Sequence, residues 1–249
     1  MQKGIDEMDR EIFARNLEKW RELPIGGGNG LRAFSSEILQ WPDGRLLAQW
    51  RTARDYAMKE AAWYLKYYEP IFRGRDVCEV GPGIGLDGIW FAERGARMTF
   101  ADIVPDNLRL LRRICGLQGI CAEFYEINNP LKFDLAQNFD AFLMVGIVHH
   151  SPFDFMRREL RAMMKFLNPG GRVAVMAYPK ERYVKSRAED FTEFARMTDG
   201  VRTPWAEWYD DAKIRRLFGR RFELNWSRNF NDDKFAWFDL TKKGGQDVV

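Results

Sequence analysis

The feature that most constrains this chain is the stretch Asp76 to Gly85, DVCEVGPGIG, where a short apolar run is broken off by glycine at every second position. Such a run reads as a buried strand, and Leu86 to Arg94 after it has helical spacing. Gly81, Gly83 and Gly85 therefore fall in a strand-to-helix turn. Glycine there takes backbone conformations closed to other residues and lets the main chain approach a ligand. The alternative is a tight turn that binds nothing. A dinucleotide fingerprint begun at Gly81 would need glycine where Leu86 stands, which weakens a nicotinamide reading.

The same rhythm continues along the chain. Candidate strands are Asp76 to Val80, Arg97 to Ala101, Cys121 to Glu126, Phe139 to Val145 and Arg172 to Tyr178. Helical stretches at Leu86 to Arg94, Pro105 to Gly116 and Phe153 to Leu167 lie between them, the last stopped by Asn168-Pro169-Gly170-Gly171. Strands alternating with helices predict an α/β fold with a doubly wound, mostly parallel sheet. A polar insertion at about 180–209 follows, then a helix at Asp210 to Phe218 and two runs, Phe222 to Trp226 and Phe235 to Leu240, that fit a closing antiparallel hairpin. Ahead of the first strand, residues 5–22 and Leu46 to Tyr68 show helical periodicity. Leu23 to Gly30 reads as a flexible hinge between them, and Pro70 and Gly74 end the second run. The expected organisation is an N-terminal helical cap or lid over 1–74 and one catalytic-sized domain over 75–249.

Glu79-Val80-Gly81-Pro82-Gly83-Ile84-Gly85 resembles the first motif of the class I S-adenosylmethionine-dependent methyltransferases, a Rossmann-like family. Asp102, 21 residues past Gly81 at the end of the second strand, continues the likeness, as do Phe139-Asp140, Val148-His149-His150 and Leu167-Asn168-Pro169-Gly170-Gly171. The resemblance covers about residues 70–180. It implies S-adenosyl-L-methionine as cofactor, held around Glu79, Gly81, Gly83 and Gly85. By the same likeness, Asp102 takes both ribose hydroxyls and Ile103 lies against adenine. An acceptor-only carboxylate suits a vicinal diol. Where the family often places an aspartate for the adenine amino group this chain reads Glu126-Ile127-Asn128-Asn129, and Asn128 is the substitute.

Methyl transfer is an in-line displacement that needs a base only when the acceptor carries a proton. His149 and His150, the two histidines of the chain, follow the fourth strand and are the candidate bases, with a helix-start or cofactor-wall role as the alternative. Tyr56, Tyr178, Trp205, Trp208 and Tyr209 are the candidate acceptor-binding residues, with Arg51, Arg54 and Asp55 near the first of them. Asp140 and Asp154 read as strand-edge and helix-start residues, so no metal is expected.

Composition narrows the partners. With 39 basic and 36 acidic residues the formal charge is +3, too balanced for a nucleic-acid or membrane footprint. The longest apolar run, Ala141 to Val148, is too short to span a bilayer, and Cys78, Cys115 and Cys121 lack metal-ligand spacing. Reduced thiols in a cytoplasmic protein acting on a small molecule are expected, oxygen acceptors slightly ahead of nitrogen. A non-catalytic cofactor binder and a protein or nucleic-acid methyltransferase are the alternatives. Oligomeric state is not legible.

Overall fold

The computed structural model describes residues 7–26 and 30–244. The start of the expected first helix, the middle of the glycine run Gly26–Gly30 and the tail beyond Gly244 lie outside the described residues. The chain divides into two compact units: Trp20–Asn128, and Asn129–Val249 together with the segment ending at Lys19. Residue 74 is not a boundary between them.

The unit Trp20–Asn128 begins with a small antiparallel pair, β1 (Glu22–Pro24) and β2 (Arg32–Phe34), where a hinge was expected. Leu23 and Ile25 are buried, and the Ile25 and Gly26 amides both donate to the Leu31 carbonyl. The short helix α2 (Ser35–Ile38) leads to α3 (Asp43–Phe72), which runs through Pro70. Proline in the last turn removes one donor, and Arg73 N still reaches the Glu69 carbonyl at 3.1 Å. That is why Pro70 does not end the helix as expected.

Then come β3 (Asp76–Val80), α4 (Leu86–Ala92), β4 (Arg97–Asp102), α5 (Pro105–Leu117) and β5 (Ala122–Glu126). The strands pair in parallel in the order β5-β4-β3. Val77, Cys78, Met98 and Phe100 on the strands and Ile89, Phe91, Leu110, Leu111 and Ile114 on the helices form the core. Phe72 of α3 packs edge-on against Phe91 at 4.9 Å. Arg113 of α5 bonds the Leu39 and Trp41 carbonyls and Asp43 at the start of α3.

In the other unit, β6 (Phe139–Val145) pairs in parallel with β7 (Leu167–Pro179). The helix α6 (Phe153–Met163) between them ends four residues earlier than expected and passes through a 3-10 turn, Met164–Phe166. Asn168-Pro169-Gly170-Gly171 does not separate helix from strand. Phe139 pairs with Leu167 and Ala141 with Arg172, so the four residues are an outward excursion within β7 opposite Asp140, whose carboxylate accepts from Asn168 at 3.1 Å.

The expected polar insertion folds as α7 (Lys180–Ser186), α8 (Phe191–Asp199) and β8 (Trp208–Tyr209), the last parallel to the end of β7. It has its own small core, in which Phe194, Ala195 and Ala206 pack with Tyr178. The chain closes with α9 (Asp211–Phe218), β9 (Phe222–Phe230) and β10 (Phe235–Lys242), an antiparallel hairpin added to β7. Within this unit α1 (Glu7–Trp20) is tied down by its buried Asp9 to Arg158, Asn16 to Ser151 at 2.9 Å and Lys19 to the Asp199 carbonyl at 3.1 Å. The pairing is thus mostly parallel, with antiparallel strands at the C-terminus. Among the described residues no helix is long and apolar enough to cross a membrane.

Candidate active site

The glycine loop is main chain bent into shape. Gly81, Gly83 and Gly85 have φ of 62°, 56° and 73°, the left-handed region where a side chain is strained. Gly81 N donates to the Ala101 carbonyl at 2.7 Å and Gly85 N to the Pro82 carbonyl at 2.8 Å. The three glycines are not equivalent. A Cβ on Gly85 would sit 2.3 Å from Leu111 Cδ1, so that glycine is there for packing. A Cβ on Gly83 would meet nothing nearer than Leu23 Cδ2 at 4.0 Å, so the backbone there faces open space. Trp50 of α3 donates from Nε1 to the Ile84 carbonyl at 2.9 Å and holds the loop from the helical side, a role sequence reading missed.

Glu79, next to last in β3, turns its carboxylate to Gly88 of α4. It is 2% exposed and accepts from the Gly88 amide, while its Oε2 has no side-chain or backbone donor within reach. Burial, together with the nearby Asp87 carboxylate, pushes its acid well above the usual range. A Cβ on Gly88 would stand 2.2 Å from Glu79 Oε2 and 2.3 Å from Phe100 Cε1. Gly88 is therefore required where α4 crosses the strands. The string Gly83-Ile84-Gly85-Leu86-Asp87-Gly88 carried that signal, one register along from the one read. Asp87 is likewise pushed up, to about 6, by burial, against a hydrogen bond from Tyr64 at 2.9 Å.

Asp102 ends β4 and is 4% exposed. Its Oδ1 accepts from Val104 N at 2.8 Å, and the Asn107 amide stands at 3.4 and 3.5 Å from its two oxygens. Burial pushes its acid up to about 6 against these hydrogen bonds. Ile103 is half-buried beside it, and Asn128 is exposed two residues past β5. These residues fit a nucleoside ligand with a free diol. The open face at Gly83 leaves room, and the long Asn107 contacts leave carboxylate lone pairs that two hydroxyls would satisfy better.

The other unit holds the histidines in a 3-10 turn, Val148–His150, just past β6. His149 is 1% exposed, and its Nδ1 has no hydrogen-bond partner. Its ring lies 3.9 Å from the Tyr178 ring and 4.1 Å from that of His150. Burial, then His150 and Arg182, hold its pKa well below the usual histidine range, so the imidazole is neutral near pH 7. Tyr178 donates to both oxygens of Asp199 at 2.8 Å, and Asp199 closes α8. The structure thus joins His149, His150 and Tyr178, and adds Asp199, which sequence reading did not connect to them.

The remaining aromatic candidates frame this turn. Tyr209 is 1% exposed and gives its hydroxyl to the Val148 carbonyl at 3.1 Å. The Glu207 amide donates to the His149 carbonyl at 2.8 Å, and the Glu207 carboxylate takes Phe153 N, Trp205 Nε1 and Lys213. Trp208 is covered by Lys213 at 4.2 Å and Lys180 at 5.2 Å from its ring centre. Tyr209 is therefore a packing residue with no surface left for a ligand, while Trp205 and Trp208 stay partly exposed. Tyr56 is 44% exposed on α3; nearby Arg51 and Asp55 are exposed, and Arg54 is spent on Glu93.

Comparison with known proteins bears on both halves. Residues 78–173 match a family model described as a methyltransferase domain. A protein of Pyrococcus horikoshii OT3 is similar in fold at TM-score 0.62, with 14% identity over 77% of this chain and 91% of that one. A putative O-methyltransferase of Nostoc punctiforme gives TM-score 0.60 with 16% identity, covering 92% and 72%. The magnesium protoporphyrin IX methyltransferase of Synechocystis PCC 6803, solved with bound SAH, gives TM-score 0.58 with 14% identity, covering 74% and 82%. The fold is Rossmann-like α/β, as expected. The matched stretch, residues 78–173, takes in the glycine loop and Asp102, so the likeness to a methyltransferase domain falls on the candidate cofactor surface.

Proposed function

We propose that the chain transfers the methyl group to a hydroxyl of a small-molecule acceptor, with one of the two histidines taking the hydroxyl proton. The observation that carries this reading is His149: a fully buried imidazole with an unspent ring nitrogen, stacked on Tyr178. A buried polar atom without a partner costs stability, and such atoms concentrate where a ligand completes them. The similarity to a protein named a putative O-methyltransferase points the same way.

When bound, S-adenosylmethionine supplies an electrophilic methyl on a cationic sulfur. The chain's own work is to bind, orient and remove a proton. Gly81 and Gly83 give the cofactor a close approach to main chain, Asp102 accepts from its ribose hydroxyls, Ile103 offers apolar surface to the base, and Asn128 offers an amide to its edge. His149 or His150 takes the acceptor proton, and Tyr178, fixed by Asp199, holds the His149 ring in place. Trp205 and Trp208 are the aromatic surfaces left for an acceptor.

The test is to incubate the full chain with methyl-labelled cofactor and a panel of hydroxylated and amino-bearing small molecules, and to identify the labelled atom by mass spectrometry. An O-methyl product that His149→Ala loses, with S-adenosylhomocysteine affinity unchanged, supports the reading. A nitrogen-linked label, label in protein or nucleic acid, or turnover indifferent to both histidines overturns it.

A further inference from the structure

The histidine turn has a second chemistry. His149, His150 and Asp199 each present a potential metal-ligand atom, all three atoms lie within 4.8 Å of one another, and all three residues are buried. We propose that these residues form a site for a divalent transition metal, with Zn2+ as the best match. Two imidazole nitrogens and one carboxylate oxygen are a recurrent ligand set for such ions. Ligands at about 2.0–2.1 Å from a tetrahedral ion stand about 3.4 Å apart, so modest side-chain rotation closes the set. The remaining coordination position stays open.

Three features favour a built site over chance proximity. His149 is 1% exposed and its Nδ1 has no hydrogen-bond partner, so the ring has a nitrogen to spare. Asp199 is oriented by Tyr178 Oη at 2.8 Å from each oxygen and by Thr198 Oγ1 at 2.8 Å, as ligating carboxylates usually are. The His149 carbonyl is fixed by the Glu207 amide at 2.8 Å, and the Val148 carbonyl by Tyr209.

Local charge narrows the choice of ion. Arg182 stands 4.1 Å over the Tyr178 ring and Lys19 donates to the Asp199 carbonyl at 3.1 Å, so a hard ion held mainly by electrostatic attraction is disfavoured. Ions that form strong bonds to imidazole, Zn2+, Co2+ and Ni2+, are selected over Mg2+ and Ca2+. The site does not rest on the methyl-transfer reading. A bound ion takes the lone pairs proposed above for proton removal, so metal-free and metal-loaded protein differ in turnover only if that reading also holds.

The experiment is a Co2+ titration of full-length, chelator-stripped protein carrying Cys121→Ser to remove the exposed thiol, followed by visible absorption and competition with Zn2+. The proposal expects one equivalent of Co2+ with ligand-field bands, displaced by Zn2+. His149→Ala and Asp199→Asn should each weaken binding at least tenfold while Mg2+ fails to compete. X-ray absorption of the Zn2+-loaded unsubstituted protein should show imidazole ligation, a readout that does not depend on the variants folding. Absence of Co2+ binding by the folded protein, a metal shell without imidazole, or affinity unchanged in both variants overturns it.

Discussion

In the unit Trp20–Asn128 the candidate binding surface is main chain, set by glycines within eight residues and one carboxylate at the end of the next strand. In the unit that holds β6 and β7 it is side chains, drawn from positions 149, 150, 178 and 199, and held by a frame of buried hydrogen bonds. The first surface excludes added volume at Gly85 and Gly88, is open at Gly83, and draws on a single carboxylate, Asp102. The second depends on individual polar atoms, each desolvated and each needing a partner. A cofactor shared by many enzymes suits the first design, and a particular acceptor suits the second.

The largest expected effects separate the glycines by purpose. Gly85→Val forces atoms into Leu111 on top of a left-handed backbone and should leave little folded protein. Gly88→Ala, with a clash at 2.2 Å against Glu79 Oε2, should cost about 3 kcal/mol in urea unfolding. Gly83→Ala carries only the left-handed cost of about 1 kcal/mol, yet should lose cofactor affinity. Equal stability losses at Gly83 and Gly88 would break the distinction.

Next comes a buried carboxylate on the other side of the comparison. Glu159 of α6 is pushed up to about 8 by burial alone. Its folded pKa exceeds the unfolded value of 4.5, so its stability contribution is complete below about 4.5 and is lost as pH rises through about 8. Glu159→Gln should therefore raise the unfolding free energy increasingly over that window, by about 4 kcal/mol at its top, with no gain at pH 4. Thermal melts across the range check the slope.

Asp102 shows the opposite case, a raised acid with a ligand to satisfy it. Donors from a ribose favour the ionised form, so S-adenosylhomocysteine affinity should be level above about pH 7 and fall as pH drops through about 6. Asp102→Asn should weaken binding at least tenfold near neutral pH and flatten that dependence. Calorimetry at several pH values reads both. The smallest effect is at Tyr209. Removing its hydroxyl from Val148 in Tyr209→Phe should cost about 1 kcal/mol in unfolding and leave acceptor KM unchanged.

Legibility followed the same division. The bounds of β3 and β6, the placement of the glycine loop and the end of β4 at Asp102 were readable, because period and glycine spacing encode backbone directly. The β1–β2 hairpin was hidden because its arms are three residues long. The excursion at Asn168–Gly171 was hidden because proline and glycine mark a bulge and a turn alike. The helix α8 was signalled by Asp190, which caps the Thr192 and Glu193 amides, but polar composition masked it. Asp199 could not be joined to His149 from sequence, since only the folding of α8 beside the end of β7 brings it to Tyr178.

The measurement that bears most directly on the central claim is calorimetric titration of the folded chain with S-adenosylhomocysteine and, separately, NAD, repeated on Gly83→Arg. The account predicts saturable micromolar binding of S-adenosylhomocysteine at one site, no comparable binding of NAD, and loss of the signal in Gly83→Arg with its circular dichroism unchanged. A folded wild-type protein that gives no heat with S-adenosylhomocysteine, or that prefers NAD, would contradict it.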